Sequence, residues 1–431
     1  MSQASRILIG LIAGLATGIA ASISESPTLT RAITAIQPVG TLWINALQMT
    51  VIPLVVSLLV GSVVSATEHG RFGRIAGRAL LMFLLLYLAV AAATLAVTPP
   101  LLSWLRVAPG ALGRIDGSAT AVTQGNVETV SVDERLTRFI PVNPFRAAVD
   151  GDIVPLFIFF ILFALALTRV DPLAKDAVVR LFKGVGNAML VLVGWLLVVA
   201  PVAIFAVVAP LTAGVGFGAI GALTYYVALL SGLCVLFTLP LYALASYLGH
   251  LSVAQFARAA APSQVVALST QSSLASLPTM IEGAQTRLGS PPQVVGVVLP
   301  LAVSVFRYST PIWLIVAALL VAKLYGIELV ASQVITVAGL SILMSIAGVG
   351  LPSGASYFGP ITPVFLSVGL PVEAIAILFA VDTIPDMIET ATNVTADLAT
   401  AAVVSRAGIQ SDGALADAGS STPHSQQSRT T

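Results

Sequence analysis

Charge is scarce in this chain of 431 residues: Asp, Glu, Lys and Arg make up 9% of it, against roughly 25% in an average soluble domain. So few charges cannot hydrate a globular surface of this size, which excludes an ordinary water-soluble protein. The 20 basic and 19 acidic residues nearly cancel, to a formal net charge of +1. No long basic run exists, which excludes nucleic acid as a partner, because phosphate binding needs clustered Lys and Arg. Cysteine occurs once, as Cys234 inside an apolar run. A disulfide framework and a thiolate metal site are both excluded, and Cys234 reads as a small buried hydrophobe. The three histidines, His69, His250 and His424, fall at predicted span ends or in the tail and assemble no catalytic or metal cluster. A Gly-x-x-x-x-Gly-Lys-Ser/Thr run is absent, so the phosphate loop of an ATP-driven pump is missing. No cofactor is expected, and an ion gradient is the expected source of energy.

What the chain has is apolar length. Hydrophobic residues make up 57% and the mean hydropathy is +0.99. About 20 apolar residues cover the hydrocarbon layer as a helix. Residues 39–66, 185–213 and 217–248 meet that length without a charge. The predicted spans are 7–24, 39–66, 78–105, 151–169, 185–213, 217–248 and 289–323, with 372–405 last and two interrupted segments at 255–285 and 330–368. The N-terminal stretch resembles a leader peptide superficially, but beside so many equally apolar segments it reads as a first membrane helix. Arg71, Arg74 and Arg78 follow the second span, and Arg169, Lys175, Arg180 and Lys183 follow the fourth. The bias of Lys and Arg toward cytoplasmic loops then places both termini in the cytoplasm. The polar stretch 106–150 is expected outside the membrane on the opposite face. The Ser-, Gln- and Gly-rich tail, 407–431, lacks the apolar residues needed to fold and reads as disordered.

Both interrupted segments break at their centres. The first contains Ser269-Thr270-Gln271-Ser272-Ser273 and Pro278, the second Gly348-Val349-Gly350-Leu351-Pro352-Ser353-Gly354. Irregular backbone at membrane depth leaves N–H and C=O groups unpaired unless it is buried in protein or lines a wet cavity. Half-helix N-termini there suit an anionic group, and carbonyl ends suit a cation. A long apolar helix follows each segment, as expected of two repeated halves meeting around a midplane site. In the last of these, Asp382, Asp386, Glu389, Thr390, Asn393 and Asp397 fall within roughly a 100° stripe at 3.6 residues per turn. Acidic groups inside a span face a cavity, an ion path or a partner charge. The preceding helix carries Arg307 near mid-span, and a membrane arginine needs a carboxylate or an anionic ligand because it keeps its proton. Asp386 and Glu389 are the candidate partners. Asn393-Val394-Thr395 matches a glycosylation sequon, but it lies inside an apolar helix and reads as a chance match.

These residues resemble the dicarboxylate/amino acid:cation symporter family, the glutamate transporter homologues. The resemblance runs through Gln48–Pro53, Leu58–Gly61, Ile140–Phe145 and Ala200–Ala206, and is strongest in Ser272-Ser273 with Leu277-Pro278, Val298–Leu301 and Asp382 through Asp397. It implies an all-α integral membrane protein with eight transmembrane helices and two re-entrant helical hairpins, working as an elevator in a homotrimer of the cell (inner) membrane. Residues 1–250 would hold helices one to six, 251–406 the core transport domain, and 407–431 a cytoplasmic tail. Carried over by residue, Ser272, Ser273 and Gly350 with Leu351 and Pro352 would hold a substrate carboxylate. Asp386 would bind an amino group, with hydrogen bonds from Thr390 and Asn393. Ser304, Asp382, Glu389, Asn393 and Asp397 are the candidates for the coupling ion, H+ or Na+, with Asp397 and Asn393 as the sodium candidate.

The departures change the chemistry. The family's Asn-Met-Asp-Gly-Thr signature appears as Phe306-Arg307-Tyr308-Ser309-Thr310, so two residues that complete its sodium sites are absent, and Pro311 and Pro385 interrupt the helices. The arginine that clasps an acidic substrate is replaced by Glu389. Arg307 could therefore stand in for both a bound cation and the missing arginine, or Glu389 could select a neutral or basic substrate while Arg307 neutralises its neighbours. Burial disfavours the charged form of a carboxyl group, which makes Glu389 a candidate proton carrier. The expected function is symport of a small amino acid or related organic anion, coupled to protons in preference to sodium. A dicarboxylate transporter, an exchanger and a solute sensor that has lost transport are the alternatives. A channel would need a polar stripe on several helices, and an enzyme a nucleophile–base pair; neither pattern is present.

Overall fold

The computed structural model describes residues 3–24, 26–68, 73–105, 140–150, 153–215, 218–347 and 353–420. Among these residues the chain is helical throughout, with no strand. The first part comprises α1 (Gln3–Ser24), the short α2 (Pro27–Thr34), α3 (Gln37–Glu68), α4 (Gly73–Ser103), α5 (Pro144–Asp150), α6 (Ile153–Leu167), α7 (Pro172–Val215) and α8 (Gly218–Tyr247). The second part comprises α9 (Val253–Thr270), α10 (Ser273–Glu282) with a π turn at Gly283–Arg287, α11 (Pro292–Val305), α12 (Thr310–Tyr325), α13 (Ala331–Ala347), α14 (Ser353–Ser367), α15 (Glu373–Ala380) and α16 (Thr383–Ser420). Five helical stretches among the described residues are long and apolar enough to cross a membrane: Pro27–Gly61, Ile75–Ser103, Pro172–Gly214, Ile220–Tyr247 and Pro292–Tyr325.

Small residues set the closest helix contact. Gly10, Gly14 and Gly18 recur at every fourth position of α1 and so share a face, which lies on α7. A Cβ at Gly10 would fall 2.2 Å from Pro201 O, and one at Gly18 would fall 2.6 Å from Ala209 O. Without a hydrophobic driving force between helices in lipid, such close backbone approach is what holds two of them together. α7 in turn packs along α3.

The second part is organised around α16, against which α8, α9 and α11 pack. α12 is buried along nearly its whole length. The two interrupted segments of the sequence are each a pair of helices. α9 ends where Gln271 takes a left-handed conformation, φ 52°, and α10 begins with Ser272 as its N-cap, the hydroxyl accepting from Ala275 N at 3.2 Å. Pro278 lies within α10 and does not form the break. The corresponding tip between α13 and α14, with Gly350, Leu351 and Pro352, lies outside the described residues, as do residues 106–139 of the polar excursion and the loop containing Arg71.

Two expectations are corrected. The span 289–323 is two helices, α11 and α12, separated at Phe306–Ser309, and 372–405 is likewise divided into α15 and α16 at Val381–Asp382. Pro311 and Pro385 occupy the first turns after these gaps, where a missing N–H costs nothing. They mark helix starts and do not kink continuing helices. α16 also continues past Arg406, where the sequence reading begins a disordered tail. Ala407, Ala414, Ala416 and Ala418 supply high helix propensity there, while 421–431 lie outside the described residues.

The glycine contact makes a prediction. Gly10→Val is expected to destabilise the protein by about 1–3 kcal/mol, the usual cost of overpacking, measured by denaturant unfolding in detergent. Gly184→Ala, whose Cβ would meet nothing within 4 Å, serves as the control and should not destabilise the protein, raising stability by up to about 1 kcal/mol through helix propensity.

Candidate functional site

Three helix interruptions meet the N-terminal half of α16. The first is the tip at Gln271–Ser272. The Gln271 side chain donates through Nε2 to Thr383 O at 2.9 Å, tying this tip to the first turn of α16. Ser272 and Ser273 are half-buried beside it, with the Ser272 hydroxyl already engaged as a cap.

The second interruption is Phe306–Ser309. Phe306 leaves the helix with an extended backbone, φ −127° and ψ 111°. Its ring stacks on Phe83 at 4.3 Å and lies 5.0 Å from Tyr87. Tyr87 completes the backbone here: its hydroxyl accepts from Arg307 N at 2.8 Å and lies 3.3 Å from Val305 O, to which it can donate. Ser309 faces α16, its N–H donating to Asn393 Oδ1 at 2.8 Å and its hydroxyl to Glu389 Oε2 at 3.1 Å. A phenol and an amide thereby satisfy a stretch of backbone that lipid could not, while the Glu389 carboxylate takes the Ser309 hydroxyl.

The Arg307 side chain is half-buried. Its charge acts on Asp386, Glu389 and Asp397, yet the ion pairs within 4.0 Å among the described residues do not include it. The expected direct Arg307–Glu389 or Arg307–Asp386 pair is therefore not formed. Glu389 takes its hydrogen bond from Ser309 instead. The guanidinium is left to face several carboxylates at longer range.

The stripe itself is partly as expected. Glu389, Thr390, Asn393 and Asp397 are buried on α16, and Asp386 is half-buried one turn earlier. Thr390 donates to Asp386 O at 2.7 Å, so its hydroxyl hydrogen is used within the helix. Asp382 lies in the third interruption, ahead of α16, and its backbone carbonyl accepts from Asp386 N at 2.8 Å. Asp397 is fully buried, and neither carboxylate oxygen has a hydrogen-bond partner. Such an orphaned carboxylate is able to take a proton or a cation. Ser304 is not part of this group: it is exposed, and its hydroxyl donates to Pro300 O at 2.6 Å.

Sequence reasoning missed Tyr87 as part of the site, and named Gln271 and Ser309 only within the first break and the altered signature, without a role. Tyr87 lies 220 positions from Arg307 in an ordinary apolar span, with no local signal. Ser309 stands in the altered signature, where a hydroxyl two residues after a membrane arginine was the available clue.

A model of the sodium:dicarboxylate symporter family matches residues 4–407. The chain belongs to the sodium:dicarboxylate symporter family. Within it, the chain is similar to the proton/sodium-glutamate symport protein of Bacillus subtilis (strain 168), 28% identical over 403 residues that cover 94% of this chain and 92% of that protein. It is 25% identical over 407 residues to the proton/glutamate-aspartate symporter of Escherichia coli (strain K12), covering 94% and 92%. The C4-dicarboxylate transport protein of Laribacter hongkongensis (strain HLHK9) is 26% identical over 379 residues, covering 86% and 84%. These family members are transporters and not enzymes.

The geometry predicts the effect of a single oxygen. Tyr87→Phe keeps the ring between its aromatic neighbours and removes the acceptor for Arg307 N. It should lower stability by about 1–3 kcal/mol, the cost of an unsatisfied buried donor, measured by denaturant unfolding. An unchanged transition would show that the hydroxyl does not hold the interruption.

Proposed function

We propose that this chain is a secondary active symporter that carries a small amino acid or related organic anion through a membrane, driven by a cation gradient in which the proton is favoured over sodium. The observation that carries this is the second helix interruption. Its backbone is satisfied by Tyr87 and Asn393, the Phe306 ring is buried, and it presents a fixed positive charge, Arg307, to the carboxylates of α16. A site arranged in this way has less need of a bound metal ion at that point.

In this reading Arg307 and the tips at Ser272–Ser273 and Gly350–Pro352 receive the substrate carboxylate. Asp386, with Thr390 and Asn393, receives its amino group. Asp382, Glu389, Asn393 and Asp397 serve the coupling ion, with Glu389 as the first candidate proton carrier and Asp397 with Asn393 as the place for sodium if sodium is used. Ser304 is dropped from this set, because its hydroxyl is spent on its own helix. The chain would fold as eight transmembrane helices with two re-entrant hairpins, divided at about residue 250 into a scaffold-rich part and a transport core. It would act as an elevator in a homotrimer of the inner membrane, with cytoplasmic termini.

A second reading, transport of a C4-dicarboxylate, is favoured by Arg307, which forms no ion pair within 4.0 Å among the described residues. A free guanidinium offers two parallel N–H donors to a second substrate carboxylate. The C4-dicarboxylate transport protein of L. hongkongensis shows that relatives of this chain carry that name.

Purified protein in liposomes, offered labelled amino acids and dicarboxylates under separately imposed proton and sodium gradients, tests both readings. Accumulation driven by protons alone is expected. Glu389→Gln should abolish the pH dependence of uptake against a gradient, and Arg307→Ala should weaken substrate binding by about 10- to 100-fold, the worth of a charged hydrogen bond. Accumulation that requires sodium would overturn the proton preference. Binding without accumulation under either gradient would point to exchange or sensing.

A further inference from the structure

The hydroxyl of Tyr87 stands between two helix ends. It accepts from Arg307 N at 2.8 Å, and two carbonyl oxygens lie within its reach as a donor: Val305 O at 3.3 Å and Ser345 O at 3.5 Å. Val305 is the last residue of α11, and Ser345 lies in the last turn of α13, the first arm of the second hairpin. The final four carbonyls of a helix have no partner within it. The N–H that would serve Val305 O in a continuing helix, that of Ser309, donates to Asn393 Oδ1 instead. The Ser345 hydroxyl donates to Ser341 O at 2.7 Å, so it is the carbonyl of that residue that is offered to Tyr87. Tyr87 is 1% exposed, and water has little access to supply a second donor.

A phenol has one hydrogen to give, and here it has two acceptors. Neither contact reaches the usual O–H···O length of about 2.7–2.8 Å. The hydrogen is therefore shared, and a small movement of α13 decides which carbonyl takes it. The phenol itself has little freedom to follow: α4, which carries it, packs against α11, α12 and α13, and its ring lies 5.0 Å from that of Phe306. An O–H that donates well is also a better acceptor, because hydrogen bonds in a chain polarise one another. Movement of α13 toward Tyr87 shortens the bond to Ser345 O and thereby strengthens the hold on Arg307 N.

We propose that Tyr87 is a positioning residue that ties the second hairpin to Arg307: its single hydroxyl hydrogen is shared between the ends of α11 and α13, so that docking of α13 firms the backbone that carries the guanidinium. The tie itself stands on the three hydrogen-bond contacts of one hydroxyl. It rests on the transporter reading only for its consequence, that the arginine is best fixed for a substrate carboxylate when α13 is docked. Coupling of this kind is reciprocal. A carboxylate held on Arg307 favours the docked arm by the same factor by which docking favours the carboxylate.

The test is hydrogen exchange of the purified full-length protein, read segment by segment by mass spectrometry. In Tyr87→Phe, exchange should rise by about 2- to 10-fold at both 344–347 and 306–310, on the order of one hydrogen bond, while the first tip, 269–273, keeps its rate. Phe83→Leu, which removes the ring stacked on Phe306 at 4.3 Å and keeps the Tyr87 hydroxyl, should loosen 306–310 alone. No rise at 344–347 in Tyr87→Phe, or an equal rise there in Phe83→Leu, would overturn the tie, and so would a rise that extends to 269–273. Uptake of labelled aspartate and succinate in liposomes separates the tie from the transporter reading. A raised KM with little change in maximal rate is expected of Tyr87→Phe. Joint loosening of the two helix ends with KM unchanged for both solutes would support the tie and sink the role of Arg307 as the partner of the substrate.

Discussion

Interrupted helices at membrane depth are the constraint on which this structure depends. A continuous helix satisfies its own backbone, whereas each gap exposes N–H and C=O groups that hydrocarbon cannot pair. Here the pairing comes from side chains of other elements: Gln271 reaches Thr383 O, Tyr87 serves Arg307 N and Val305 O, and Asn393 receives Ser309 N. Every one of these bonds crosses between helices. The gaps are therefore also the joints that fix α9–α10, α11–α12, α4 and α16 relative to one another. A segment that would be a defect in a soluble helix serves here as a fastening.

Charge imposes the next constraint. α16 and the residue before it carry Asp382, Asp386, Glu389 and Asp397, and the guanidinium that reaches three of them is Arg307. One fixed positive charge cannot neutralise four carboxylates, two of them buried and two half-buried, and an isolated buried charge is costly. The balance has to come from protons, from a cation or from a positively charged group of the substrate. In the proposed reading, ion coupling would be a consequence of electrostatics: solute and ion would enter together because neither alone would leave the site neutral.

Much of this was legible in the sequence, for identifiable reasons. The break at Gln271–Ser272 announced itself through a run of hydroxyl residues in an apolar segment, and the acidic stripe through its periodicity. The gap at Phe306–Ser309 was hidden, because Phe306 and Tyr308 are as apolar as their surroundings and only Pro311 hinted at a helix start. The gap before α16 was hidden in the same way by Val381. Tyr226, Trp313 and Tyr357 carried no signal at all. Aromatic residues in apolar spans read as core, and only folding brings rings such as those of Trp313 and Tyr357 together, 4.6 Å apart.

The three gaps also bear on how binding at one point is felt at another. Coupling between sites needs a physical element with two arrangements that both sites bias. α16 is the element all three share: its first turn holds the first tip through Thr383, its next turns hold Ser309 through Glu389 and Asn393, and Asp382 stands at its entrance. Sixteen residues, 382–397, thus span all three contacts and Asp397. At about 1.5 Å per residue that is a little over 20 Å of helix, short enough to move as one rigid body. In the proposed reading, a ligand that draws on Arg307 or Asp386 would displace the same rod that the first hairpin grips, and binding there would be felt at that hairpin with no need for a longer relay.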